Sequence, residues 1–187
     1  MNEHERLRLV EPDESYLDAV WAYRQEFLDA GDSMDGCGPI RRAESAEDWL
    51  AQVRAYLDPA TVPADRVHAT QFLAVRESDG KVVGMIQIRH RFNDYLEKYA
   101  GHIGYSVRPS ERRRGYAREM LRLSFPFCRS LGLTRVLICC FPGNEGSRRT
   151  ILENGGVYES TVYCPDTDDY IERYWVDLTA DAAGEDA

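Results

Sequence analysis

Apolar and polar positions follow two rhythms along this chain, and each change of rhythm marks an element. Residues 6–10 (Arg-Leu-Arg-Leu-Val) alternate with the period of a short strand. After Pro12-Asp13, the residues Leu17, Val20, Trp21, Phe27 and Leu28 recur at helical spacing, and Gly31-Asp32 ends that helix. Ser45 has the character of an N-cap, with Asp48 three residues on. Behind it, Trp49, Val53, Tyr56 and Leu57 form the face of a second helix, closed by Pro59 and Pro63. Residues 71–76 and 81–89 read as two strands around Ser78-Asp79-Gly80, an Asp-Gly hairpin signal.

Segment 91–101 is polar and aromatic without a clear period, which predicts a loop. Residues 102–107 predict a strand closed by Pro109. A basic turn, Glu111 to Gly115, leads into a helix over 116–130 with Met120, Leu121, Phe125 and Cys128 on its inner face. Pro126 lies inside that helix and is expected to kink it. Residues 135–141 are nearly all apolar, the pattern of a strand buried on both faces. A short helix over 145–154 ends at Gly155-Gly156, and a last hairpin pairs 157–163 with 170–178. The order is β-α-α-β-β-β-α-β-α-β-β. It predicts an α/β (α+β) fold with a sheet of about seven strands and a central parallel, right-handed β-α-β over 102–141. Residues 1–178 read as one domain and 179–187 as an acidic, disordered tail.

Charge narrows the function. There are 23 basic and 32 acidic side chains, a net of −9, which argues against a nucleic-acid partner. Against that background the clusters Arg112-Arg113-Arg114 and Arg148-Arg149 stand out. The longest unbroken apolar run, Val136 to Phe141, is far short of the roughly 18 residues of a membrane span. The first residues carry no apolar stretch of the signal-peptide kind, so the chain reads as cytoplasmic. Cysteines 37, 128, 139, 140 and 164 are odd in number and without paired spacing, which predicts reduced thiols. The four histidines (4, 68, 90, 102) show no ligand spacing, so no metal site is expected.

The stretch from Val107 to Ala117 carries the chemistry. A strand ends, a tight basic turn follows and a helix begins. Unpaired N–H groups at a helix start, together with its dipole, favour an anion. Gly115 lets the backbone approach a ligand, Ala117 keeps the next turn small, and the arginines add positive charge. The reading is a phosphate or pyrophosphate cradle; a solvated basic helix cap fits the same residues. The phosphate-loop pattern Gly-x-x-x-x-Gly-Lys-Ser/Thr and the dinucleotide pattern Gly-x-Gly-x-x-Gly are both absent.

Arg112-x-x-Gly115-x-Ala117 between strand and helix resembles the acetyl-CoA motif of the GNAT superfamily of N-acetyltransferases, Gln/Arg-x-x-Gly-x-Gly/Ala. Asn144-Glu145-Gly146-Ser147 is similar to that family's Asn-x-x-Ala/Ser segment, and the element order matches over about 6–178. The resemblance implies a mixed, mostly antiparallel sheet with helices on both faces. It implies acetyl-CoA as co-substrate, bound by the Val107 backbone, by Arg112, Arg113, Arg114, Gly115, Tyr116 and Ala117, and by Asn144 and Ser147 near the sulfur. Transfer would be direct, to an amine of a small molecule or peptide.

His102, at the start of the motif strand, is the candidate base; a strand histidine also serves by bonding a nearby backbone group. Many relatives place a tyrosine seven residues after the asparagine, but Ile151 stands there. Tyr105 or Tyr158, water, or no acid must then serve the leaving thiolate. Arg91, Asn93, Asp94 and Tyr95 form a candidate acceptor surface, with Asp94 for an amine and Arg89 or Arg91 for a carboxylate. Segment 29–42, with Asp32 and Asp35, and Glu44 just beyond it are a further cation-attracting wall. Two other readings stay open: a catalytically inactive acyl-CoA sensor, and a phosphometabolite enzyme with the same cradle. An exposed closing hairpin or strand edge could support a homodimer.

Overall fold

The computed structural model describes residues 6–179. One sheet of seven strands runs through it: β1 (Leu7–Val10), β2 (Ala69–Arg76), β3 (Val82–Arg89), β4 (Ile103–Val107), β5 (Arg135–Cys140), β6 (Gly156–Cys164) and β7 (Asp169–Asp177). Their order across the sheet is β1-β2-β3-β4-β5-β7-β6, and every neighbouring pair is antiparallel except β4–β5. The helices are α1 (Leu17–Asp29), α2 (Ala46–Ala55), α3 (Tyr116–Ser130) and α4 (Glu145–Glu153). None is long and apolar enough to cross a membrane.

Strand alternation distributes the side chains between two cores. Phe72, Ala74, Ile86 and Ile88 pack on one face with Met120, Leu121, Phe125 and Cys128 of α3 and Ile151 of α4. Leu73, Val75 and Met85 pack on the other with α1 and α2, through Val20, Phe27, Trp49 and Val53. The Asp-Gly hairpin forms as the sequence predicts. Gly80 has φ 72°, and the Arg76 N–H donates to the Lys81 carbonyl at 2.9 Å. Ser45 caps α2 by accepting from the Asp48 N–H at 3.1 Å.

Helix α3 spans the predicted 116–130 with Pro126 inside it, and Phe125 and Cys128 on its inner face are buried, so packing outweighs one lost helix bond. Two local expectations change. Segment 91–101 is not all loop: Leu96–Ala100 form a π-helical turn. Asn93 starts it by accepting from the Leu96 N–H at 2.9 Å, and Arg173 on β7 pins it through the carbonyls of Glu97 and Lys98. The inner face of α1 also includes Tyr23, fully buried, whose hydroxyl donates to the Ser106 carbonyl at 3.0 Å. The acidic tail, from residue 180 on, lies outside the described residues.

The loop after α1 is laid directly on β4. Gly36, at φ 69°, touches Gly104 so closely that a Cβ on it would lie 2.1 Å from the Gly104 carbonyl oxygen. Both the left-handed conformation and the contact exclude a side chain. Gly36→Ala therefore pushes this loop off the sheet and costs about 2–4 kcal/mol of stability. A thermal melt should register a drop of roughly 5–15 °C; a melt like that of the parent protein would show that the contact is dispensable.

Candidate active site

Parallel strands β4 and β5 pair at Ile103–Ile138 and then part. His102 donates its N–H to the Leu137 carbonyl at 2.8 Å just before that point. Beyond it opens a cleft of about 1350 Å³. The wall made by β4 is polar. Arg89 donates to the His102 carbonyl and Arg108 to the Val83 carbonyl, so the even-numbered residues bond to β3. By alternation, residues 103, 105 and 107 turn their backbone groups toward β5. Once β5 has diverged, the groups of Tyr105 and Val107 face the cleft. Val107 also accepts from Arg112 Nε at 3.0 Å.

The basic turn is built from within. Glu111 is buried, and Arg76 Nη1 and Lys81 Nζ reach its oxygens at 2.8 and 2.5 Å. Burial would raise this carboxyl, but the hydrogen bonds from Lys81 and Arg76 hold it below the usual carboxylate range. Glu26 accepts from the Ser110 N–H at 2.6 Å and lies 3.0 Å from Arg108 Nε. Arg112 reaches back to Asp32 at 2.6 Å, and its hydrogen bond holds that carboxyl low. Arg114 lies 3.5 Å from Glu111. Arg113, at φ 63°, makes no ion pair or side-chain hydrogen bond among the described residues, and it borders the cleft. Helix α3 then starts after Gly115, at φ 85°, with no side chain capping it. Its first-turn N–H groups, with the positive end of the dipole, adjoin the cleft beside Ala117.

Across the cleft, Asn144 caps α4 by accepting from the Ser147 N–H at 3.0 Å. The Tyr105 hydroxyl lies 2.9 Å from Ser147 Oγ, and burial pushes that phenol above its ordinary range. Ile151 is fully buried in the core, so no side chain from that position enters the cleft. Arg148 and Arg149 are engaged by Glu172, Glu145 and Glu153, and Arg148 also by the Pro142 carbonyl. The far end of the cleft holds Asp35, Gly36, Arg89, Tyr95, Tyr99 and Cys139. Tyr95 and Tyr99 stack with centroids 5.4 Å apart. All five cysteines are free, and burial pushes the Cys139 thiol up to about 12, far from a thiolate.

Of the residues singled out from sequence, the cleft brings together Tyr105, Val107, Arg112, Arg113, Gly115, Tyr116, Ala117, Asn144, Ser147 and Tyr95, and with them Arg89, Asp32 and Asp35. Arg114 stands behind them, next to Glu111. Arg91, Asn93 and Asp94 are not on its walls, because the helical turn carries them outward and Asn93 serves as its cap. His102 is not on its walls either. It is buried between the rings of Phe92 and Trp175, and its Nδ1 accepts from the Leu137 N–H at 3.0 Å. Burial, then the nearby Arg89 charge, lowers this imidazole to about 4. The imidazole braces the point where β4 and β5 separate. Tyr99 and Gly36 escaped the sequence reading; the four-residue spacing of Tyr95 and Tyr99 is the signal that marks the helical turn.

A family model for the acetyltransferase (GNAT) domain matches residues 6–157. Among curated proteins, no sequence matches this chain. Several solved structures share its fold. RimL, a ribosomal L7/L12 α-N-protein acetyltransferase in complex with coenzyme A, is 18% identical with a TM-score of 0.69, over 94% of this chain and 96% of that one. RimJ of Mycobacterium smegmatis, in complex with CoA-disulfide, is 18% identical with a TM-score of 0.67, over 96% and 84%. Ribosomal-protein-S5-alanine acetyltransferase of Vibrio fischeri is 18% identical with a TM-score of 0.66, over 96% of each chain. At such identities the likeness is one of fold.

The brace at His102 has a pH signature. Between about pH 6.5 and 4 the unfolded imidazole takes up a proton that the folded one refuses. Its contribution is therefore whole above pH 6.5 and is lost as pH falls toward 4. His102→Asn removes the titration while keeping an acceptor for the Leu137 N–H. Melting temperatures of the variant should fall less steeply than those of the parent across this window. Parallel slopes would show that the imidazole is not buried as described.

Proposed function

This chain belongs to the GNAT acetyltransferase family, and on that premise we propose that it transfers the acetyl group of acetyl-CoA directly to a primary amine. The observation that carries the reading is the continuity of one cleft. It runs from the uncapped start of α3, past the open backbone of β4, to the end lined by Asp35 and Arg89. Acetyl-CoA, when bound, supplies an activated thioester.

The N–H groups at the start of α3 and the exposed Arg113 would receive its pyrophosphate, where Gly115 and Ala117 leave room. Arg112 and Arg114 act one step back, holding the turn through Asp32 and Glu111. The backbone groups of Tyr105 and Val107 would bond the amide-bearing arm as an adjacent strand would. Asn144 positions Ser147, and Ser147 positions the Tyr105 hydroxyl. That phenol stays protonated at working pH, so it donates to the departing sulfur. Asp35, on the loop clamped to Gly104, would receive the amine and take its proton at a carboxylate oxygen. No cysteine is needed, in keeping with a thiol at position 139 that remains protonated. The five free thiols also fit the reducing cytoplasm in which we place the protein.

Two variants test the two ends of this reading. Gly115→Glu puts bulk and negative charge into the cradle, so calorimetric titration with acetyl-CoA should lose at least about two orders of magnitude in affinity while the fold persists. Unchanged affinity in a folded variant would remove the cradle. With an amine panel and a free-thiol readout, Tyr105→Phe should lower kcat about 10²-fold with little change in the KM for acetyl-CoA. Full kcat would remove Tyr105 as donor.

A further inference from the structure

We infer that the acceptor is a small molecule of the α-amino acid kind, whose anionic group, set beside its amine, is held by Arg89. This rests on the acetyltransferase reading above. Arg89 is the last residue of β3, and its side chain lines the cleft. Nη1 donates to the carbonyls of Ala100 at 3.3 Å and Gly101 at 3.2 Å. Nε and Nη2 have no hydrogen-bond partner among the described residues, and no carboxylate among them lies within 4.0 Å of the guanidinium. Neither nitrogen is sealed from the cleft, unlike the buried Nε of Arg108. A guanidinium keeps its charge even where burial opposes it, as here. A desolvated cation with no carboxylate in contact is costly, and an arriving anion offsets that cost.

Position assigns the anion to the acceptor and not to the CoA moiety. Arg89 stands level with His102 and Gly104, since its N–H donates to the His102 carbonyl at 2.8 Å. Val107, where the cofactor turn begins, is three residues further along β4, about 10 Å away. Around Arg89 stand Asp35, Gly36, Tyr95 and Tyr99, none of which belongs to that turn. Gly104 leaves space for the guanidinium: a Cβ there would lie 3.1 Å from Nη2. Asp35 shares this end of the cleft and offers the opposite charge. A cation site and an anion site within one pocket complement a zwitterion. A protein amino terminus would occupy Asp35 alone and leave Arg89 unpaired. A peptide with an acidic first residue presents a similar pair of charges on a longer chain.

The test uses α-amino acids, each paired with its carboxamide, and peptides beginning with Asp or Glu, with thiol release from acetyl-CoA as readout. The free acids should exceed their amides in kcat/KM by roughly 10–100-fold. Arg89→Gln should erase that ratio and Arg89→Lys should keep part of it. Equal rates for acid and amide, a ratio that survives Arg89→Gln, or a preference for the acidic peptides would each overturn the inference. A binding arm keeps the two readings apart. In the presence of CoA, N-acetyl amino acids should raise the melting temperature of the parent more than their amides do. They should not do so for Arg89→Gln, whose own response to CoA reports that its fold and cradle are intact. Acid-specific stabilisation without turnover of any amine would sink the transferase reading and leave the Arg89 site standing. Turnover without acid preference would do the reverse.

Discussion

The parting of two parallel strands is the constraint on which this structure depends. Strands β4 and β5 meet at Ile103–Ile138 and then diverge, although each is held firmly on its outer side, β4 by β3 and β5 by β7. A strand left with open N–H and C=O groups in a protein interior loses about 1–3 kcal/mol for each group that stays unpaired. The fold resolves this by making the gap a wet cleft whose backbone groups can be met by water or by a ligand. Three contacts keep the gap from closing. His102 braces the vertex through Leu137, Gly101 lies against the Leu137 carbonyl, and the Tyr105 side chain spans the gap to Ser147.

Electrostatics then assign work to the charges. The chain is acidic overall, with a net charge of −9, yet its basic turn faces the cleft. Part of that positive charge is already balanced: Arg112 has Asp32, while the single Glu111 carboxylate is shared by Arg76, Lys81 and Arg114. These pairs fix the shape of the turn. What remains to greet a ligand is Arg113, the excess positive charge around Glu111 and the helix start, which acts at short range. At the opposite end, Arg89 donates to the Ala100 and Gly101 carbonyls and has no carboxylate in contact among the described residues, with Asp35 at the same end of the cleft.

Strong periodic signals in the sequence carried most of the architecture. The four predicted inner residues of α3 are all buried, Val136, Leu137, Ile138 and Cys140 of the β5 run are buried, and the Asp-Gly hairpin closes where expected. The basic turn, Gly115 and the start of α3 beside the cleft were legible because they are local features. His102 was not. Alternation says which face a strand residue takes, but not that a neighbouring strand's N–H will occupy its ring nitrogen. The Arg112–Asp32 pair was equally hidden, since it joins residues 80 apart in sequence. Of the residues expected to face an acceptor, Arg89, Asp35 and Tyr95 line the cleft and Tyr99 joins them, whereas Arg91, Asn93 and Asp94 do not, for one reason. A helical turn at 96–100 rotates those three out of the cleft, and a polar segment with mixed spacing does not announce such a turn.

A site for acetyl-CoA in the gap between β4 and β5 makes binding visible as thermal stabilisation. The measurement is a thermal melt with acetyl-CoA, and with ATP as a control of similar charge. A ligand at about 100 times its dissociation constant adds roughly 2.7 kcal/mol. For a chain of this length, each kcal/mol moves the midpoint by about 2–4 °C. A rise of several degrees is expected with acetyl-CoA and none with ATP. No rise with acetyl-CoA up to millimolar concentration, or an equal rise with both, would contradict such a site.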